Sequence, residues 1–364
     1  MKIGVIAPIW LEIPPKGYGG TEYVVYNLVN GLVDKGHDVT FFGARNAKVK
    51  AKVFPTVEMP LREQSVEWTN VSYTLFHLAQ SFEKAGEFDV IHMHVNKSQD
   101  YLSLPLSLLS KTPVVFTLHF KVPTPTYNKD RYLVLNKYRD LPFTSISNSQ
   151  RKPTQLNYIK TVYNSLDIKS YPFSETHSDY FVWLGKINPL KGTKEAILAA
   201  KRAGVKLYVM GVVDRGVPHL LQYYEKEISP LIDGKNIIWI GEVETDRKAK
   251  YLAGAKAFLN PILWEEPFGL VMAESQATGT PVISFNRGAA PEVIVDGKTG
   301  FLVDTLDQMV EKMKYVDQLN RRDCRDNVES KFSIEKMVEG YEDAYSTAMK
   351  NWKTYINTYL SSSK

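Results

Sequence analysis

One pattern constrains this chain more than any other, and it occurs twice. Short apolar runs alternate with longer amphipathic ones. The first series is Lys2–Pro8, Asp38–Gly43, Phe88–His94, Pro113–His119, Phe143–Ser149 and Thr161–Ser165. The second is Tyr180–Gly185, Lys206–Gly211, Asn236–Gly241, Lys256–Pro261 and Pro281–Phe285. Stretches of helical spacing lie between them, among them Glu22–Lys35 and Glu67–Lys84. A short continuous apolar run suits a strand covered on both faces, and helices between such strands imply crossovers in a parallel sheet. The repeated series therefore predicts an α/β chain of two doubly wound, Rossmann-like parallel-sheet domains.

The length of 364 residues is also more than one core usually supports. We place the first domain at residues 1–168 and a linker at 169–179, where Pro172, Ser174, Thr176 and Ser178 cluster. The second domain is placed at 180–340 and a C-terminal helical segment at 341–364. The whole tail Ser333–Leu360 is helical in spacing, rich in Tyr and carries Trp352, so it is a candidate to cross back onto the first domain. Sheets of this kind bind ligands beyond the carboxyl ends of their strands. Two such edges facing one another would bound one central cleft.

Charge and cysteine content remove several classes of function. The net charge is +5, from 45 Lys and Arg against 40 Asp and Glu, with no basic block of the kind that marks nucleic-acid binding. This mild excess fits an anionic substrate or an anionic membrane surface. Cys324 is the only cysteine, which rules out an intrachain disulfide and a multi-cysteine metal site and fits a reducing, cytoplasmic setting. The apolar run at the start ends at Pro8 and reads as a first core strand, not a signal peptide. No run reaches transmembrane length. The stretch Tyr101–Leu109 is largely apolar, and Lys16, Lys48, Lys50, Lys52, Lys121, Lys129 and Arg131 are basic candidates in the same domain. Peripheral contact with the inner face of a membrane thus stays open, against the alternative of scattered solvated lysines. Oligomeric state is not encoded in any motif.

Four constellations carry chemistry. In Glu265-Glu266-Pro267-Phe268-Gly269-Leu270-Val271-Met272-Ala273-Glu274, two acids stand eight positions apart. Proline is tolerated at a helix start. Glu266 is thus expected at a helix N-terminus and Glu274 about two turns in, with N–H groups between them able to meet an anion. Read alone, the spacing also fits an amphipathic helix with two acids on its wet face. In Gly185-Lys186-Ile187-Asn188-Pro189-Leu190-Lys191-Gly192, two lysines flank a turn into a helix, an arrangement suited to a diphosphate or to a solvated loop. Pro14-Pro15-Lys16-Gly17-Tyr18-Gly19-Gly20 follows a strand and opens a helix, yet matches neither a P-loop nor a dinucleotide fingerprint. His92 and His94 close one strand on the same face and His119 closes another. No third ligand lies near His92 and His94, so a metal site is not favoured, and His119 is the better functional candidate.

Taken in order with Asp89-Val90-Ile91-His92, Thr117-Leu118-His119, Val162-Tyr163-Asn164-Ser165, Gly279-Thr280-Pro281-Val282, Pro291-Glu292-Val293-Ile294 and Asp296-Gly297-Lys298-Thr299-Gly300-Phe301-Leu302-Val303, these motifs resemble the family 4 glycosyltransferases. Those are retaining enzymes of the GT-B fold that use nucleotide-sugars. The resemblance spans nearly the whole chain and implies a nucleoside-diphosphate sugar as donor substrate, no cofactor and no metal. It implies that Glu274 accepts from ribose hydroxyls and that Glu266 holds donor-sugar hydroxyls. Phe268, Gly269 and Leu270 would offer N–H groups to sugar and phosphate, and Lys186 and Lys191 would grip the diphosphate. Gly19 and Gly20 would close over the phosphates, and His119 would face the transferred sugar. The acceptor would be a saccharide, a lipid-linked sugar or a small molecule.

Three positions depart from the family pattern. Lys186 stands where Arg is usual, Ser165 where Gly is usual, and Ala289 where a second Gly is common. Lysine keeps the charge at 186 and loses the bidentate fork. A sugar-nucleotide epimerase, a phosphorylase and a non-catalytic nucleotide-sugar binder remain as rival readings.

Overall fold

The computed structural model describes residues 1–17 and 19–361, so Tyr18 of the glycine-rich loop lies outside the described residues. The first sheet has seven strands: β1 (Lys2–Ile6), β2 (Asp38–Ala44), β3 (Lys52–Val57), β4 (Val90–Val95), β5 (Val114–Leu118), β6 (Phe143–Ser145) and β7 (Tyr158–Thr161). They lie in the order β3-β2-β1-β4-β5-β6-β7, and every pairing is parallel. The second has six: β8 (Phe181–Lys186), β9 (Leu207–Val212), β10 (Ile237–Gly241), β11 (Ala257–Asn260), β12 (Val282–Phe285) and β13 (Gly300–Val303). Their order is β10-β9-β8-β11-β12-β13, again all parallel. Each is a doubly wound, Rossmann-like sheet whose order reverses beside its first strand, at β1/β4 and at β8/β11. Such reversals open a crevice at the strand carboxyl ends.

The central strands are covered on both faces, which explains their unbroken apolar runs. Every residue of β4, β5, β11 and β12 is buried. Three strands differ from expectation. β3 is absent from the expected series because Pro55 interrupts it, but β3 is an edge strand, where a missing N–H is tolerated. β13 is likewise a short edge strand, and β7 lies at Tyr158–Thr161 instead of Thr161–Ser165. The helix expected at Glu67–Lys84 spans Ser72–Glu83. Asn70 starts it late, since its side-chain oxygen accepts from the N–H of Ser72 at 3.0 Å in place of a helical carbonyl.

The chain divides into two compact units, residues 1–165 with the helix Ile334–Ser361, and Leu166–Ser333. The residues expected as a linker at 169–179 are tied to the second unit. Ser174 donates its N–H to Thr278, Ser178 donates to Gly254, and Arg325 donates to the carbonyl of Tyr171 at 2.8 Å. The C-terminal helix belongs to the first unit from Ile334 onward, not from residue 341. Gly31 on the helix Gly20–Asp34 makes this docking close, since a Cβ there would lie 2.6 Å from Ile334 and 2.8 Å from Val338. Tyr341 and Tyr345 are fully buried, and Trp352 donates to the carbonyl of Ser110 at 3.1 Å.

The run Tyr101–Leu109 is mostly packed inside the first unit, with Tyr101 and Leu104 buried and Leu109 exposed. No described helix is long and apolar enough to cross a membrane.

Candidate active site

In the second unit the candidate residues gather at the carboxyl edge of the sheet. β8 ends at Lys186, whose Nζ lies 2.7 Å from the carboxylate of Asp214, just beyond β9. Asn188 then accepts from the N–H of Leu190 at 2.9 Å and shapes the turn Pro189–Lys191. Gly192 has φ 72°, a left-handed conformation that favours glycine, and a Cβ there would collide with the Pro261 carbonyl. This holds the loop against the end of β11. The helix Thr193–Ala203 follows at once.

Lys191 reaches Glu266, and the two form an ion pair through Nζ and Oε2. The same oxygen accepts from the Trp264 indole N–H at 3.0 Å, and Nζ of Lys191 sits 4.9 Å from the ring centre of that indole. The lysines expected to grip a diphosphate therefore each hold a carboxylate in this structure, Lys186 with Asp214 and Lys191 with Glu266.

The segment after Glu266 departs from the expected helix start. Gly269 adopts φ 83° and ψ 65°, so Pro267-Phe268-Gly269 forms a turn and the helix runs Leu270–Ala277. Glu266 thus lies on the turn ahead of the helix, and Glu274 is only a little over one turn inside it. Glycine's freedom is the cause: the left-handed Gly269 reverses the chain where proline alone would have let the helix begin. The first N–H groups of this helix, at Leu270 and Val271, have no carbonyl one turn back to bond, whereas Met272 donates to the Gly269 carbonyl at 2.9 Å. Phe268 is buried and packs edge-on against Phe332 at 5.4 Å.

Glu266 is braced from behind. Glu265 accepts from the N–H of Gly288 at 2.8 Å, and the Glu266 carbonyl accepts from Ala289 at 2.9 Å. Gly288 has φ 57°, and a Cβ there would strike the Glu266 backbone. Ala289 has φ −84° and is fully buried, so that position has no need of a second glycine.

Glu274 is 7% exposed. Its Oε1 accepts from the Tyr171 hydroxyl at 3.0 Å and from Lys248 Nζ at 2.7 Å, while Oε2 has no partner among the described residues. A buried acceptor left unmade costs about 1–3 kcal/mol, so a ligand hydroxyl reaching Oε2 would be favoured. Neither Tyr171 nor Lys248 is singled out by the sequence. Their only signal is a Tyr in a polar stretch and one Lys among several on the helix Thr245–Ala253.

In the first unit, Gly20 opens the helix Gly20–Asp34 and Gly19 precedes it. A Cβ on Gly19 would lie 2.7 Å from Pro15 and 3.2 Å from the Glu22 carboxylate. Glu22 is 2% exposed and its Oε1 has no partner among the described residues. Burial pushes its carboxyl up to about 7, its own N–H and Lys97 oppose this, and Asp100 adds to it. Sequence reasoning passed over Glu22, although an acid in the first turn after a glycine loop is a readable signal.

His92 and His94 project from β4 onto one face, with ring centres 4.0 Å apart. His92 lies between the Tyr345 hydroxyl at Nδ1 and the Thr117 hydroxyl at Nε2, both at 2.7 Å, and is a core residue. His119 follows β5, fixed by its N–H to the Val95 carbonyl at 3.0 Å. Burial holds its imidazole down to about 3, and burial with neighbouring imidazoles holds His92 and His94 well below the ordinary range. The three are neutral at physiological pH.

Two Rossmann-like domains, with lysines, carboxylates and open helix starts at the strand carboxyl ends of the second, define a glycosyltransferase of the GT-B class. A family model described as Glycosyl transferases group 1 matches residues 167–330, and one described as Glycosyltransferase Family 4 matches residues 18–167. The chain belongs to the family 4 glycosyltransferases and is an enzyme of sugar transfer.

Among its relatives is an uncharacterized 41.2 kDa protein in the cps region of Klebsiella pneumoniae, 29% identical over 72% of this chain and 80% of that one. A phosphatidyl-myo-inositol mannosyltransferase of Mycolicibacterium smegmatis is 23% identical over 83% of this chain and 81% of its own length. The solved structure of HepE from Anabaena in complex with UDP covers 95% of this chain and 100% of its own, with a TM-score of 0.71 and 17% identity.

Proposed function

We propose that this enzyme moves a sugar from a nucleoside-diphosphate donor to an acceptor hydroxyl, with retention at the anomeric carbon and without a metal. The carrying observation is Glu274, a buried carboxylate with one oxygen held by Lys248 and Tyr171 and the other without a partner among the described residues. That free acceptor suits a ribose hydroxyl. Breaking the bond from anomeric carbon to phosphate oxygen puts negative charge on the leaving diphosphate. Preplaced cations and N–H dipoles that meet such charge are usually the largest catalytic contribution. Lys186, Lys191 and the starts of the helices Thr193–Ala203 and Leu270–Ala277 supply them. A diphosphate would compete with Asp214 and Glu266 for the two lysines, and Glu266, so released, would hold donor-sugar hydroxyls. Phe268, Gly269 and Leu270 bring N–H groups to sugar and phosphate, Gly19 and Gly20 serve the phosphates, and His119 serves the transferred sugar.

Attack runs from the same face through an oxocarbenium-like ion pair, and the leaving phosphate oxygen takes the acceptor's proton. The acceptor is a saccharide, a lipid-linked sugar or a small molecule. Peripheral membrane contact is part of the proposal, through Trp68, Val71, Leu75 and Phe76, which are exposed near the start of the helix Ser72–Glu83. Co-sedimentation with anionic vesicles tests that contact.

The main test screens nucleoside diphosphates and their sugars for thermal stabilisation, since a ligand of the native state alone raises its stability. UDP comes first, because HepE binds it. Product analysis with a binding donor then reads the anomeric configuration. An inverted product refutes retention, isomerised donor points to an epimerase, and sugar phosphate points to a phosphorylase. Binding with no turnover on any acceptor leaves a non-catalytic binder.

A further inference from the structure

We infer that His94 is a positioning residue that fixes the tautomer of His119, so that His119 presents Nδ1–H, a donor, to its ligand. The inference rests on the proposed role of His119 in serving the transferred sugar.

β4 and β5 are neighbours in register, with His94 opposite Thr117. His119 lies two positions past Thr117, and its Nε2 is 2.9 Å from Nδ1 of His94. The rings are nearly parallel, at 27° with centres 5.1 Å apart. His94 is fully buried, while His119 is partly exposed, so His119 is the member of the pair that a ligand can touch. Among the described residues, Nε2 of His94 has no partner and Nδ1 of His119 makes no hydrogen bond.

A hydrogen bond between two neutral imidazoles needs one donor and one acceptor, and each ring carries one N–H. Only two arrangements exist. In one, His119 donates from Nε2, and the proton of His94 must sit on its own Nε2, a buried N–H with nothing to accept it. In the other, His94 donates from Nδ1 and its Nε2 is a bare lone pair. Along protein backbones an orphaned buried N–H is rarer than an under-satisfied carbonyl, and the same preference, carried over to these rings, disfavours the arrangement that strands a donor. The second arrangement therefore holds. It takes the lone pair of His119 at Nε2 and leaves the proton on Nδ1, facing outward. The low basicity of both rings keeps a second proton away and preserves this order. A donor at that point favours a sugar oxygen that accepts, and an imidazole lone pair would have favoured a hydroxyl that donates.

The first test is nitrogen NMR of the whole chain labelled at histidine, which reads the tautomer without any substrate. Nδ1 of His119 is expected to be protonated, and Nε2 protonation or an even mixture overturns the inference. The second test compares two substitutions. His94→Asn keeps an amide N–H near the place of Nδ1, whereas His94→Gln moves the amide to the place of Nε2. His94→Asn is expected to stay within about threefold of wild-type turnover and His94→Gln to lose about tenfold, the scale of one hydrogen bond. Equal activity in the two variants overturns the positioning role. If neither variant folds, the wild-type spectrum alone decides. If no donor or acceptor supports turnover, the proposed function fails while the tautomer is still read.

Discussion

Lys248 Nζ lies 2.7 Å from Oε1 of Glu274, inside a site where the two side chains are 14% and 9% exposed. The pair places a cation behind the carboxylate and leaves the other oxygen, Oε2, without a partner among the described residues. Glu274→Ala is expected to weaken binding of the nucleoside diphosphate by about 1–3 kcal/mol, the worth of hydrogen bonds to a charged group. Titration calorimetry reads this directly, and unchanged affinity contradicts the ribose role. Lys248→Met strands the carboxylate in a buried setting and is expected to cost about 3–5 kcal/mol of stability by urea unfolding.

Lys191 is expected to matter more for turnover than for folding. Its Nζ pairs with Glu266 and its side chain is a third exposed, so the resting pair adds little stability. Lys191→Ala is expected to lower kcat by about 10²-fold or more under saturating donor, as when one preorganised donor is removed from an active site. Near-normal turnover would take Lys191 out of the mechanism.

The sequence made the two parallel sheets legible because their strands are buried on both faces and so carry unbroken apolar runs. It hid β3, since Pro55 looks like a break until the strand is seen to lie at an edge. It showed Glu266, Glu274, Lys186 and Lys191, which sit in compact local motifs. Their partners were out of reach. Tyr171 is 103 positions from Glu274, Lys248 is 26 away, and Asp214 is 28 from Lys186. Contacts at such separations are made by strand crossovers and leave no periodic trace along the chain. The start of the helix after Glu266 was illegible for a local reason, because Gly269 could continue or turn the chain and only the fold decided.

The C-terminal helix is expected to stabilise the first unit through a buried bond to a core histidine. Tyr345 is fully buried and its hydroxyl is 2.7 Å from Nδ1 of His92. Tyr345→Phe leaves that nitrogen without a partner and is expected to cost about 1–3 kcal/mol. Hydrogen exchange should quicken in β4 and β5 and stay unchanged in β8–β13. Faster exchange confined to the second unit would refute this account.

Glu22 gives the first unit a pH dependence of definite sign. Burial, the largest cause, lifts its carboxyl from the ordinary 4.5 to about 7, so the folded state keeps a proton that the unfolded chain has released. Stability from this group is full below pH 4.5 and is lost as the pH rises toward 7, where the native carboxyl also ionises. The loss is on the order of 3 kcal/mol, because each pH unit between the unfolded and folded values is worth about 1.36 kcal/mol. The buried histidines act in the opposite sense: burial holds His77 down to about 4, so the unfolded chain binds protons that the folded one refuses. The total slope therefore mixes both, and the difference between wild type and Glu22→Gln isolates the carboxyl. Urea unfolding between pH 4.5 and 8 should show wild type losing stability relative to the variant as the pH rises. Parallel curves would mean that Glu22 ionises in the folded state as it does in water, and would refute the upward shift that its burial implies.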